Sequence, residues 1–459
     1  MSTAAHTFLK AAEKKVFDLK HRNTINFNMG KYHVAVEKGL QHFSNLELAR
    51  NRANHIKWSA IEKLEQHLLQ FETNFQRNGG KVIWAQDGAE AIKEILHIFK
   101  KVEGRSLVKS KSMVTEEIQL NAALEKNGIE VFETDLGEFI QQIDGEPPYH
   151  IVTPAMHKSK EDIAELFHRK LKTEPNLSPE ALTNIARQLL RDKYKSAEVG
   201  VTGANFIVAD TGSIALTENE GNARLSITFP KVHIVIAGIE KVLPSVNDLN
   251  LFWPLLATHG TGQFVTVYNT LVSGPRRSGE SDGPEEMYVI LLDNGRTNIL
   301  ADTEQRQSLY CIRCGACLNA CPVYKNIGGH SYGSTYSGPI GSVITPHLQG
   351  MENFKHLSFA SSLCGNCTEV CPVKIDLHKL LLVNRRQSVT QELTTKNEDR
   401  SWYFWRRAMM SRKLMNMPNS KLKNLAMRLF VKNSWGNRRE MPEIAPQSFN
   451  ERWRESHKK

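Results

Sequence analysis

The sequence predicts an α/β domain built on a largely parallel sheet, followed by a helical cysteine-rich segment. Three observations predict it. Strand-like and helical runs alternate between residues 81 and 134, further strand-like runs recur up to residue 292, and all seven cysteines fall between Cys311 and Cys371.

Taken in order, residues 1–75 read as helical, with apolar residues at three- and four-residue spacing among many charges. Gly79 and Gly80 end that pattern. A strand is expected at 81–84, a helix at 88–99, a strand at 105–113, a helix at 115–126 and a short strand at 129–134. Strand, helix and strand in this rhythm imply parallel pairing. Residues 157–197 read as helical, with a break marked by Pro175 and Pro179. Strands are expected at 204–209 and 213–217 around the turn Asp210-Thr211-Gly212, and again at 232–237, 263–268 and 287–292. Glycine-rich loops are expected at 259–262 and 274–279. These readings divide the chain into a helical region (1–75), the α/β domain (76–302), the cysteine segment (303–383) and a basic helical region (384–459).

At 459 residues the chain is long enough for two or three domains, and its 40% hydrophobic and 24% charged residues are those of a globular protein. The first 20 residues carry charges throughout, so no signal peptide is expected, and the expected compartment is the cytoplasm. The net charge of +10 is concentrated at one end. From Arg385 onward there are 18 Lys/Arg against 7 Asp/Glu, so the remaining residues sum to about −1. Such a tail suits an acidic partner or the face of an anionic membrane; a solvated helical face is the plainer account. Nucleic acid is not expected as a partner.

The cysteines form two copies of one pattern. Cys311, Cys314, Cys317 and Cys321 precede Pro322; fifty residues on, Ser361, Cys364, Cys367 and Cys371 precede Pro372. Three thiolates at this spacing can meet three corners of one cubane, while the fourth points to the other cluster. Cluster one is therefore expected on Cys311, Cys314, Cys317 and Cys371, and cluster two on Cys321, Cys364 and Cys367. Zinc also uses paired cysteines, but zinc ribbons separate their pairs widely. The clusters are expected to be [4Fe–4S], with cluster two either completed by serine, water or another residue or reduced to [3Fe–4S]. Ser361 is the obvious fourth-ligand candidate, against the simpler account of a small residue beside the cluster. His259, His330 and His347 are read as loop residues, each a conceivable ligand but more simply a surface histidine. Tyr324, Tyr332 and Tyr336 are expected to cover the clusters and limit solvent access.

The double run, together with Gly200-Val-Thr-Gly-Ala-Asn-Phe-Ile-Val-Ala-Asp-Thr-Gly-Ser-Ile214, Thr24-Ile-Asn-Phe-Asn28 and Tyr336-Ser-Gly-Pro-Ile-Gly341, closely resembles the lactate utilization protein B (LutB) family. The resemblance implies a LUD domain, similar to sugar-isomerase and CoA-transferase folds, then two ferredoxin-type segments and a family-specific C-terminal region. It implies an electron-transfer subunit, itself non-catalytic, acting with LutA-like and LutC-like proteins in cytoplasmic oxidation of L-lactate to pyruvate, with an unassigned electron acceptor. It carries over the same seven cysteines.

An alternative gives the LUD domain its own small-carboxylate site, with the clusters as its redox partner. Its candidates are Thr202-Gly203-Ala204-Asn205, Asp210-Thr211-Gly212 and Glu240, at loops where open α/β sheets bind ligands. Turn-forming glycines and an acid favoured at a helix start are the plainer account. No catalytic residue is assigned, and no nucleotide-binding glycine motif is present.

Overall fold

The first 77 residues fold as four helices, Thr3–Val16, Leu19–Leu40, Leu46–Glu62 and Leu64–Arg77, in a computed structural model describing residues 2–417, 419–432 and 440–457. Side chains cap three of their N-termini: Ser2, Asp18 and Asn45 each accept a backbone N–H three residues on. Leu64, Leu68, Phe71 and Phe75 line one face of the fourth helix, all buried, as the spacing predicts.

Six strands form a fully parallel sheet in the order β1-β10-β7-β4-β2-β3: β1 (Lys81–Ala85), β2 (Ser106–Lys109), β3 (Glu130–Glu133), β4 (Val199–Thr202), β7 (Val232–Gly238) and β10 (Glu286–Leu292). All of β7 is buried, as expected of a central parallel strand covered on both faces. A smaller sheet, β8-β5-β6-β9, comprises β5 (Phe206–Val208), β6 (Ser213–Glu218), β8 (Val242–Leu243) and β9 (Tyr268–Val272).

Several expectations are corrected. The helix at 115–126 is two helices, Met113–Glu117 and Leu120–Lys126, broken where Gln119 adopts φ 53°. β4 was not foreseen: four residues, all buried, carry no alternation to read. The strand expected at 263–268 lies at Tyr268–Val272, because its register is set by antiparallel pairing with β6. His259, Gly260 and Thr261 are not a loop; they end the helix Leu249–Thr261, and only Gly262, at φ 80°, is its terminator. His347 likewise lies within the helix Gly338–Gln349, and His330 in a short 3₁₀ turn. The turn Asp210-Thr211-Gly212 is docked on the helix Leu64–Arg77, whose Asn74 Nδ2 donates to the carbonyls of Ala209 (2.9 Å) and Asp210 (3.0 Å).

The chain divides into two compact units, Met1–Ser388 and Val389–Lys459. The second contains the helices Lys396–Met409, Arg412–Asn416, Ser420–Ala426 and Phe449–Ser456, and exposes Trp402, Trp405 and Trp453; Trp435 lies outside the described residues.

Candidate metal centre

Each cysteine run is a tight loop leading into a short helix. In the first, Arg313 (φ 62°) and Gly315 (φ 80°) are left-handed and the helix Ala316–Ala320 follows; in the second, Leu363 (φ 53°) and Gly365 (φ 81°) repeat this before the helix Asn366–Glu369. Left-handed glycine is easy; left-handed arginine and leucine are held against a preference. The backbone N–H of Arg313 donates to Cys311 Sγ at 3.4 Å, that of Tyr324 to Cys321 Sγ at 3.5 Å, and that of Ile375 to Cys371 Sγ at 3.3 Å.

The seven thiols, all free, fall into two electrostatic neighbourhoods. Cys317 feels Cys311, Cys314 and Cys371; Cys314 feels Cys371 and Cys311; and Cys371 feels Cys311. Cys321 feels Cys364, and Cys367 feels Cys321 and Cys364. Cys371 thus stands with the loop fifty residues before its own, and Cys321 with the loop after its own. Burial, followed by neighbouring sulfurs, pushes the Cys367 thiol up to about 11, and burial pushes Cys371 up to about 12. Buried thiols in company stay protonated unless a cation takes the proton's place.

The first neighbourhood adjoins a buried charge network. Arg296 Nε donates to Glu240 Oε2 (2.6 Å), and its two terminal nitrogens donate to Glu117 (2.9 and 2.8 Å). Tyr336 Oη donates to Glu117 at 2.6 Å, and Arg313 stacks over the Tyr336 ring at 4.4 Å while reaching Glu240 at 3.5 Å. Lys57 Nζ donates to the carbonyls of Glu240 (2.6 Å) and Val242 (3.4 Å). Burial alone would raise Glu240; Arg296 and Arg313 outweigh it and hold the carboxyl at about 2. Burial pulls Lys57 down to about 7 and Lys241 to about 8, although Glu240 and Cys311 oppose it. Glu240 follows β7 and Arg296 follows β10, so the network occupies the carboxyl edge of the parallel sheet, where such sheets place their sites.

Sequence reasoning singled out Glu240 but missed its partners. Part of the network had a local signal. Arg50, Asn54 and Lys57 lie on one face of the helix Leu46–Glu62, at i, i+4 and i+7. Arg50 donates to the carbonyls of Cys371 (3.1 and 2.9 Å) and Glu369 (2.6 Å), and Asn54 to that of Val373 (2.8 Å). Of the other sequence candidates, Thr202 bonds His233 Nε2 at 2.9 Å, and Asp210 accepts the N–H of Val246. His259 is buried, with Nδ1 on the carbonyl of Leu255 at 2.9 Å; His330 bonds the carbonyl of Pro147 (2.8 Å) and His347 the side chain of Asn384 (2.8 Å). Tyr324, Tyr332 and Tyr336 are all buried, and Tyr332 lies near Cys317 of one neighbourhood and Cys321 of the other.

The donor set suits iron–sulfur clusters. Converging thiols, N–H donors to three sulfurs and a cationic surround match what anionic clusters require. The Nη1 atom of Arg313 is buried without a hydrogen-bond partner among the described residues, beside Cys311, where an anionic cluster would be its counter-charge.

Comparison with known proteins agrees. The LUD domain family matches residues 68–292 and the 4Fe-4S dicluster domain family matches residues 307–375. The chain is 49% identical to lactate utilization protein B of Bacillus licheniformis, over 76% of this chain and 73% of that protein. It is 46% identical to the Anoxybacillus flavithermus protein of that name (80% and 83%) and 48% identical to that of Bacillus subtilis (77% and 74%). The chain belongs to the lactate utilization protein B family. A crystal structure of a duf162 family protein from Deinococcus radiodurans is 16% identical, with a TM-score of 0.29 over 50% of this chain and 98% of that one, a likeness too weak to bear on the fold. Among the described residues no helix is long and apolar enough to cross a membrane.

Proposed function

We propose that this chain is the electron-transfer subunit of a cytoplasmic system that oxidises L-lactate to pyruvate, acting beside LutA-like and LutC-like proteins. The observation that carries this reading is the gathering of seven thiols into two neighbourhoods within a family named for lactate utilization. On this reading Cys311, Cys314, Cys317 and Cys371 hold one [4Fe–4S] cluster, and Cys321, Cys364 and Cys367 hold a second, within a segment spanning 303–383 behind an α/β domain spanning 76–302. When bound, such clusters supply one-electron acceptance and release at potentials set by ligands, hydrogen bonds and burial.

The chain's own residues prepare that chemistry. Arg313 and Arg296 match Glu117 and Glu240 in charge, and Lys57 and Lys241, drawn down to about 7 and about 8, add a partial positive charge that offsets negative charge on the first thiol set and favours its reduced state. Tyr332, buried near Cys317 and Cys321, excludes water between the two sets, and Tyr324 and Tyr336 are buried as well. Cys364 is exposed, which gives electrons a way on or off the protein. The basic second unit, with its exposed tryptophans, suits docking to an acidic partner or an anionic membrane face.

The test is anaerobic purification with iron and sulfide counting and EPR, followed by addition of L-lactate to the chain alone. Two clusters that lactate does not bleach, but which a lactate-oxidising partner reduces, are the expected result. A colourless or zinc-loaded protein overturns the reading. The charge network at the sheet's carboxyl edge favours a second reading, in which this domain itself handles a small carboxylate; bleaching by lactate without a partner would establish it.

A further inference from the structure

We propose that Ser361 Oγ is the fourth ligand of the second cluster, binding as an alkoxide the one iron that no cysteine reaches. The inference rests on the two-cluster reading above and deepens it.

The second loop repeats the backbone bonds of the first, including the one to its opening side chain. Leu318 and Asn319 donate backbone N–H groups to the carbonyl of Gly315 (3.0 and 3.2 Å); Thr368 and Glu369 donate to that of Gly365 (2.9 and 3.2 Å). The N–H of Cys321 reaches Leu318 O at 3.1 Å, and that of Cys371 reaches Thr368 O at 3.2 Å. Arg313 and Leu363 share the left-handed conformation, as do Gly315 and Gly365. The N–H of Arg313 donates to Cys311 Sγ at 3.4 Å, and the N–H of Leu363 donates to Ser361 Oγ at 3.2 Å. Ser361 Oγ therefore occupies the position that Cys311 Sγ occupies in its own loop. An N–H donated to the ligand atom stabilises negative charge there, in a thiolate or an alkoxide alike.

Leu363 is held at φ 53°, against a leucine's preference, as Arg313 is in the first loop. The loop is also pinned from outside: Arg385 donates to the carbonyls of Ser358 (3.0 Å) and Ser361 (3.2 Å) and packs over the Phe359 ring at 5.3 Å. The backbone of Ser361 is thus fixed three residues before Cys364, the offset that separates Cys311 from Cys314. On ligation an iron–oxygen bond forms, the hydroxyl proton passes to solvent and no electrons change hands. Oxygen is a harder ligand than sulfur, so the second cluster carries one distinct iron, at the half-exposed edge of the centre.

The test uses the full chain, purified without oxygen, as wild type and as Ser361→Ala, Ser361→Thr and Ser361→Cys, with folding followed by circular dichroism. Wild type and S361T are expected to hold about eight irons per chain, and S361A about seven, with the EPR signal of an oxidised three-iron cluster. S361C should keep all its irons while the potential of the second cluster alone shifts. An S361A protein whose iron content, EPR and potentials match wild type overturns the serine ligand while leaving the two-cluster reading intact. A wild type lacking one or both clusters overturns the two-cluster reading itself, and the proposal with it. Should S361A fail to fold, wild type decides the matter. Mössbauer spectra showing one oxygen-coordinated iron, with an EPR signal unbroadened in water enriched in the magnetic oxygen isotope, support serine. Broadening in that water marks an exchangeable aqua ligand and overturns it, as does a spectrum with every iron bound only by sulfur.

Discussion

The two thiol neighbourhoods share one loop design and differ in almost everything around it. Three of the four thiols in the first set, Cys314, Cys317 and Cys371, are buried, and the set backs onto Arg296, Arg313 and two lysines, Lys57 and Lys241, that burial draws towards neutrality. In the second set only Cys367 is buried and Cys364 is exposed, and its loop opens with Ser361 where the first opens with Cys311. A local sequence pattern can therefore be duplicated while its electrostatic surroundings are not. The dry, cation-backed set suits a fixed, easily reduced station inside the protein; the exposed set suits exchange with a partner.

The sharpest way to break this comparison is Cys371→Ser. Although Cys371 belongs to the second run, about half the iron should be lost, and the lost EPR signal should be that of the buried cluster. Loss confined to the exposed cluster would show that the runs do not cross.

Next in size is Glu240→Gln. Arg296 and Arg313 would lose a buried counter-charge, at a cost of about 3–5 kcal/mol in denaturant unfolding. The potential of the buried cluster should rise, because a nearby negative charge is gone, and that of the exposed cluster should not move. Equal shifts in both clusters would deny the network its local role.

The sets should also differ in chemical resistance. On titration with ferricyanide, or with an iron chelator under mild oxidation, the exposed cluster should decay first by EPR, since Cys364 is open to solvent. Simultaneous decay would mean that the surrounding chain protects neither.

The smallest effect concerns pH. Burial, followed by Lys111, pulls His150, which packs against Gly315 of the first loop, down to about 3, and burial alone pulls His233 to about 3. Both stay neutral in the folded protein while the unfolded chain takes up protons below about pH 6.5. The unfolded state then binds more protons, so stability falls as pH drops from about 6.5 towards 3, by about 1.4 kcal/mol per pH unit for each such histidine. Urea midpoints between about pH 7 and about pH 5.5 read the slope, which His150→Asn should reduce. A flat profile would mean that neither group is as dry as its packing implies.

Much of the fold was legible before any coordinates. The helices of the first 77 residues follow from apolar spacing, and β1, β7 and β10 from their apolar runs. What escaped shares a cause. β4 is too short and too uniformly buried to carry a period, and the place of β9 is set by its partner β6 rather than by its own residues. His259 and Gly260 read as loop because glycine usually ends helices; here Gly260 lies within a helix, where a Cβ would sit a close 3.2 Å from the carbonyl oxygen of Cys314. In the centre, the doubled cysteine run is visible in the spacing alone. Lys57, Glu117 and Arg296 are not, because each looks like an ordinary surface charge until distant chain segments remove it from water.

By itself the sequence determined that one short loop occurs twice with thiols at fixed offsets, because glycine placement and ligand spacing act over a few residues of backbone. Only the tertiary structure decided that one copy is sunk against the sheet among unsolvated cations while the other meets water. Desolvation depends on what lies across space, and no local stretch of residues encodes it.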